Sequence, residues 1–414
     1  MVDERETRSD TAASTRRQFL VGGAAAGVGA AVGAAVALGV NHAATASTAP
    51  GSGAAPMNGA QVVPFYGEHQ AGIDTSAQAH STLVALDLLP EVTRDGLRRL
   101  MRILTDDAAR LTQGTPALAD SEPEMATAPA RLTVTFAFGP EFVARSGATA
   151  PAWLRPLPAF SIDQLQDAYN DGDLLIQVAS DDPVTVAHTV RMLLKDSRSF
   201  ATVRWQQQGF RAAYGSYRPG TTMRNLFGQV DGTSNPQPGT ENFDAVVWSD
   251  RGWLAGGTSL VVRRIRMTMD TWDELDRSGR EQAVGRTMSN GAPLTGTEEF
   301  DEPDFDAKTA IGFPVIPEFS HMHRARGDDP RYPTEQIFRR GYNYDLPPSG
   351  AEVSDSGLIF VSYQADVDRQ YVPIQQRLAD LDLLNQWTIP IGSAVFAVPP
   401  GCAEGGYIGE SILA

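Results

Sequence analysis

The sequence predicts an α+β protein built from two β-α-β-β-α-β units, each laying its helices over one face of an antiparallel sheet. Three observations carry this. Alternating, β-branched stretches are separated by stretches with apolar residues at helical spacing. The same order of stretches occurs twice along the chain. Finally, Asp173-Leu-Leu-Ile-Gln-Val-Ala-Ser-Asp-Asp is echoed by Gly357-Leu-Ile-Phe-Val-Ser-Tyr-Gln-Ala-Asp, at nearly the offset that separates the first strands of the two halves. Matching offsets are the mark of a duplicated unit.

The elements follow in order. Ordered sequence begins near Val62-Val63-Pro64-Phe65, and Ser81–Leu88 has the alternation of a strand. Residues 91–111 carry Leu97, Leu100, Met101 and Leu104 at helical spacing. Strands are predicted over 131–139 and 174–180, a helix over 183–194 with Pro183 in its first turn, and a strand over 200–206. The second half offers a strand over 258–268, a helix over 271–286, a strand over 357–363, a helix from about 367 to 381 and a closing strand over 394–398. The halves divide at 61–225 and 226–414. Two Gly/Pro/Asn-rich stretches, 217–242 and 289–350, read as irregular. Long irregular segments inside a compact domain are usually functional, so the chemistry is expected there.

The N-terminus has the three zones of an export signal. A charged stretch ends in Thr15-Arg16-Arg17-Gln18-Phe19-Leu20, an apolar Ala/Gly/Val run follows to about Val40, and Ala44-Thr45-Ala46 offers a small-residue cleavage site. Residues 1–46 are therefore expected to be a twin-arginine signal, cleaved or kept as an anchor, and 47–60 a flexible tether. Such a signal exports an already folded passenger by way of the twin-arginine translocase, which places the mature protein in the periplasm, outside the cell or at its surface. A folded passenger suits a protein that acquires a metal or redox cofactor before export. The formal charge of −16 argues against nucleic acid as a partner. The oligomeric state, including a homo-oligomer, is left open.

Cysteine and histidine usage narrows the cofactor. Cys402 stands alone, which excludes an intrachain disulfide, Cys-x-x-Cys-His haem attachment and a cysteine-ligated cluster. Of six histidines, His42 leaves with the signal, and His69, His80 and His188 read as structural or surface residues. His321 and His323 fall in Glu318-Phe-Ser-His-Met-His-Arg-Ala-Arg, inside the second irregular stretch. A single axial histidine is what a non-covalent haem requires, whereas zinc wants three or four ligands. An i, i+2 pair cannot point at one metal from a helix, so one of the two is the candidate. The first irregular stretch holds Arg224-Asn225-Leu226-Phe227-Gly228-Gln229-Val230-Asp231-Gly232-Thr233-Ser234-Asn235. Asp231 there is either a turn cap or a carboxylate set where glycines let the backbone approach a flat ligand.

Gly228-x-x-Asp231-Gly232-Thr233, preceded by Arg-Asn-Leu, resembles the signature of the dye-decolourising (Dyp-type) peroxidases, most of all their exported, deferrochelatase-like branch. Further segments agree in matching order from about residue 62 to the end: Pro64-Phe65-Tyr66-Gly67-Glu68-His69-Gln70-Ala71-Gly72-Ile73, Phe338-Arg339-Arg340-Gly341-Tyr342, Gly357-Leu358-Ile359-Phe360 and Val398-Pro-Pro-Gly. The resemblance implies a duplicated ferredoxin-like fold with haem b in the second half, and hydrogen peroxide and an organic electron donor as substrates. It also implies His321 as the iron ligand, Asp231 as the acid/base and Arg339 as the charge stabiliser on the opposite face. Gly232, Thr233, Ser234, Leu358 and Phe360 would surround the haem. His323 stands where the family commonly has Arg, and Arg326-Gly327-Asp328 replaces Asn-Pro-Arg, so Arg326 or Arg331 is the substitute partner for a propionate. Asp382 is a candidate partner for the axial histidine's second nitrogen. Large donors would pass electrons through a surface Trp or Tyr, with Trp205, Trp253, Tyr371 and Trp387 as candidates. The alternatives are a deferrochelatase-like protein that releases iron from haem, and a non-catalytic haem or iron carrier.

Overall fold

A computed structural model describes residues 57–326, 335–348 and 350–414. The signal, the tether as far as residue 56, and Arg331 lie outside the described residues. The first half runs β1 (His80–Leu88), α1 (Arg94–Thr112), β2 (Thr133–Phe138), α2 (Pro140–Ser146), β3 (Leu174–Ser180), α3 (Pro183–Ser197) and β4 (Ala201–Phe210). The second runs α4 (Glu241–Val247), β5 (Thr258–Met267), α5 (Met269–Asp273), α6 (Arg277–Val284), α7 (His321–Arg326), β6 (Phe338–Arg339), β7 (Tyr342–Leu346), β8 (Asp355–Gln364), α8 (Val372–Leu381), β9 (Thr388–Val398) and α9 (Glu410–Leu413).

Both halves have the ferredoxin-like strand order. The first is β2-β3-β1-β4 and the second β9-β5-β8-β7, all antiparallel. β6 continues β7 in one unbroken register along β8, from Phe338 opposite Tyr363 to Leu346 opposite Asp355. The two sheets then join edge to edge, Phe138 opposite Ala397 and Phe210 opposite Asn343, so the strands close into a barrel. Closure leaves few unpaired strand edges. Successive side chains point to opposite faces. Leu83, Ala85, Leu175, Val262, Ile359, Val361 and Phe396 accordingly fill the interior as one buried cluster.

The outer face of the first half is covered by helices. Leu97, Leu100, Met101 and Leu104 of α1 are all fully buried against Val84, Leu86, Phe136 and Ile176. Burying each such side chain contributes about 1.5–3 kcal/mol. α3 starts where Asp182 accepts hydrogen bonds from the Val184 and Thr185 N–H groups, with Pro183 at the first helical position.

Two expectations need correcting. The single helix over 271–286 is two short ones, because Asp276 accepts from Gly279 N–H at 2.7 Å and so caps a new helix. The stretch 289–350 is not wholly irregular. It contains α7, which carries His321, and the strand formed by β6 and β7, whose Tyr342 and Tyr344 alternate into the barrel.

Candidate active site

Asp231 sits on a loop that closes on itself. Arg224 and Val230 form an isolated bridge, and the Arg224 guanidinium donates to the carbonyls of Gly228, Met288 and Ser289 at 2.6, 2.9 and 2.7 Å. Gly228 and Gly232 have φ of +81° and +133°, conformations that other residues rarely adopt, so the turn on either side of Asp231 needs glycine. Asn235 then ties this loop to β6. Its Nδ2 donates to the Arg339 carbonyl at 2.7 Å and its Oδ1 accepts the Arg339 N–H at 3.1 Å.

That clasp aims the Arg339 side chain. Phe338 pairs with Tyr363 on the barrel side, so Arg339 points the other way, and its Nη1 donates to Asp231 Oδ1 at 2.7 Å. The side chains are 27% and 17% exposed, so a small ligand can reach both. By the same alternation Leu358 and Phe360 leave β8 on the outer face, away from Ile359 and Val361. Asp231, Gly232, Asn235, Arg339, Leu358 and Phe360 share one cavity of about 350 Å³. Arg211 lines it too, and burial pushes its guanidinium down to about 10.

His321 is supported from behind. Its Nδ1 lies 2.6 Å from Asp382 Oδ2, while Asp382 Oδ1 accepts the Leu384 N–H at 2.9 Å. Burial pulls the imidazole's proton affinity down. The charge and hydrogen bond of Asp382 more than reverse this, so the net shift is upward. Arg339 lowers it and Asp231 raises it, which places all three groups within electrostatic reach. The imidazole is a third exposed even though desolvation by surrounding protein is the strongest influence on it.

The remaining predicted residues divide. Thr233 donates to Glu299 at 2.9 Å, Ser234 is exposed, and Arg326 is paired with Glu302 and lies over the Phe305 ring. His323 stacks on Phe305 at 4.5 Å. Sequence reasoning missed Asn235, Arg211 and Glu299. Only Asn235 had a local signal, its place four residues after Asp231.

The residues present fit a haem. Among the described residues no three His, Cys, Asp or Glu side chains are arranged to hold a metal ion, so a bare ion at His321 would lack ligands, whereas a porphyrin brings four of its own. With Nδ1 engaged by Asp382, Nε2 is the nitrogen that could hold a haem iron. Burial, with the nearby Arg339 and Arg326 guanidinium groups, lowers the proton affinity of Arg286, a concentration of positive charge suited to propionates.

A carboxylate-backed imidazole within electrostatic reach of a carboxylate–guanidinium pair is an arrangement that suits a haem-dependent oxidoreductase. Family models agree. The model described as Dyp-type peroxidase, N-terminal, matches residues 70–211, and that described as Dyp-type peroxidase, C-terminal, matches 222–403. A dye-decolorizing peroxidase of Thermobifida fusca is 36% identical over 83% of each chain. A deferrochelatase of Escherichia coli K12 is 33% identical over 90% of this chain and 92% of its own. Among solved structures, a DyP-type peroxidase from Cellulomonas bogoriensis superposes with a TM-score of 0.83 at 51% identity, covering 86% of this chain and 99% of that one. One from Streptomyces coelicolor gives 0.82 at 39%, covering 87% and 100%. The chain belongs to the Dyp-type peroxidase family and is a haem peroxidase of that family. It is thus an enzyme that reduces hydrogen peroxide and oxidises organic donors, and the carrier reading falls away.

Proposed function

We propose that this chain is an exported haem b peroxidase in which His321 binds the iron through Nε2, Asp231 is the acid/base and Arg339 the charge stabiliser. The observation that carries the reading is the 2.7 Å Asp231–Arg339 pair in a cavity that Leu358 and Phe360 also line. Haem, when bound, supplies the electron-transfer chemistry of peroxide reduction. The protein's own residues handle the protons and the charge. Asp231 takes a proton from one peroxide oxygen and returns it to the other, which then departs as water. Arg339 orients the Asp231 carboxyl through its hydrogen bond and stabilises negative charge on the departing oxygen. Leu358 and Phe360 keep bulk water off these groups. Asp382 fixes the His321 ring and its tautomer, and raises the basicity of the nitrogen offered to iron. Gly232, Thr233, Ser234 and Arg326 complete the cofactor's surroundings in this reading, with Arg326 exchanging Glu302 for a propionate. The halves divide at residues 225 and 226, and residues 1–46 direct export of the folded protein through the twin-arginine translocase.

The test is an absorption spectrum. The purified protein is expected to show a Soret band, and His321→Ala to lose haem or change its axial-ligand bands. An unchanged spectrum in that variant would remove His321 as the ligand.

A further inference from the structure

Asp231 is carried by a narrow hairpin. Its N–H donates to the Met223 carbonyl at 2.8 Å, Arg224 bridges Val230, and the Asn225 N–H donates to the Gln229 carbonyl at 3.1 Å across the tip. Among the described residues the pairing of the two arms stops at Met223 and Asp231, so the open end has Thr222 on one arm and Gly232 and Thr233 on the other. Gly228 and Gly232 permit this path but, having no side chains, do nothing to hold it. The carboxyl is gripped on one side only. Oδ1 takes the 2.7 Å bond from Arg339, whereas the nearest protein donor to Oδ2 is Asn225 Nδ2 at 3.4 Å. Where Asp231 stands therefore depends on what closes the hairpin.

Glu299 closes it. One carboxylate oxygen, Oε1, accepts both the Thr222 hydroxyl at 2.5 Å and the Thr233 hydroxyl at 2.9 Å. Bonds to an ionised acceptor are the stronger kind. The arms they join are already close, since a Cβ on Gly232 would lie 3.3 Å from Thr222 Cγ2. Thr222 also lines the cavity that holds Asp231 and Arg339. Glu299 is itself anchored. Asp301 Oδ2 accepts the Thr297 and Glu298 N–H groups at 2.8 and 2.9 Å, and Arg286 Nη1 donates to the Glu299 carbonyl at 2.9 Å. The same segment meets the hairpin a second time, where Arg224 reaches the carbonyls of Met288 and Ser289.

We propose that Glu299 is a positioning residue for peroxide reduction, which holds Asp231 in place by joining Thr222 to Thr233 across the open end of its hairpin. The proposal rests on the assignment of Asp231 as the acid/base. Two clasps then share the work. Asn235 ties the hairpin to the strand that carries Arg339, and Glu299 keeps the hairpin itself from opening. Proton transfer to and from peroxide needs Asp231 within hydrogen-bond reach of both oxygens, and a misplacement of about 1 Å costs up to about 10²-fold in rate. The role needs the accepting oxygen of Glu299 rather than its charge. An amide carbonyl at the same place also has two lone pairs and serves both hydroxyls.

The test uses the haem-loaded enzyme and follows its reaction with hydrogen peroxide by stopped-flow. Glu299→Ala should lower kcat/KM for peroxide by about 10–100-fold with the Soret band unmoved. Glu299→Gln should stay within about threefold of wild type, because it keeps the shared acceptor. Thr222→Val removes one arm of the clasp and leaves Glu299 in place. It should show part of the loss, and it decides the matter if Glu299→Ala does not fold. Glu298→Ala, at the exposed neighbour, should behave as wild type. The sharpest readout is non-additivity. In an Asp231→Asn background Glu299→Ala should cost nothing further, since it acts through Asp231. Equal losses in the two backgrounds, a shifted Soret band in Glu299→Ala, no rescue by Gln, or a wild-type rate in Thr222→Val would each overturn the proposal. Failure of the Asp231 assignment shows separately, because Asp231→Asn alone would then react with peroxide as fast as wild type.

Discussion

The two halves share one strand order and differ in what lies on the outer face of the sheet. In the first half α1 and α3, of 19 and 15 residues, cover that face and bury it as ordinary core. In the second half the first crossover holds only α5 and α6, of 5 and 8 residues, before the chain runs out to α7 and returns as β6. Leu358, Phe360 and Arg339 therefore face a cavity where the first half has helix. The same scaffold occurs twice, and the shorter helices of the second copy leave its outer sheet face open. Chemistry then sits on segments held by a rigid sheet, the usual division of labour between loops and scaffold.

The comparison can be broken most sharply at the site itself. Asp231→Asn and Arg339→Leu should each lower kcat/KM for peroxide by about 10²–10⁴-fold, measured by stopped-flow, with the circular dichroism spectrum unchanged. Comparable losses of fold would mean that the pair is structural. The opposite pattern is expected for Leu104→Ala in α1, a fully buried side chain in the first half. It should cost about 2–5 kcal/mol in denaturant unfolding and leave the activity of the folded fraction intact. Between these lies Asp382→Asn, which keeps the shape but weakens the support of His321. A drop of about 10–100-fold in haem affinity or activity is expected, read by haem titration.

The smallest effect belongs to a half-buried acid of the first half. Asp196 of α3 lies beside Asp107 of α1, and burial followed by that carboxyl neighbour pushes it up to about 7. Its Oδ2 is buried with no donor, as two carboxylates without a shared proton must be. The folded state thus holds this proton more tightly than the unfolded chain does. Stability from that source is complete below the ordinary carboxylate range and is lost as pH rises to about 7. Asp196→Asn should raise Tm by roughly 1–3 °C at pH 8. The gap should close in acid, and a gap that persists there would point to packing instead.

Much of this was legible beforehand, for identifiable reasons. β3 was expected over the residues it occupies because its short, mostly apolar run is bounded by Asp173 and Asp181. α1 was legible from its apolar stripe. β6 and β7 were not, because their Tyr342–Tyr344 alternation is short and set among glycine, proline and arginine. Barrel closure was hidden as well, since the joints at Phe138 and Phe210 are backbone pairings with no side-chain signature.

The sequence by itself determined the duplicated order of elements, the want of cysteine ligands, and the residue types at Asp231, His321 and Arg339. Periodicity and motif spacing are local, and local patterns survive in a one-dimensional reading. Only the tertiary structure decided that Arg339 donates to Asp231 at 2.7 Å, that Asn235 clasps its backbone, and that Asp382 backs His321. It also decided that Trp248 stacks on His69, 179 positions away, and meets the Phe243 ring. These partners lie tens to hundreds of positions apart, and packing between strands and loops, which has no sequence period, brings them together.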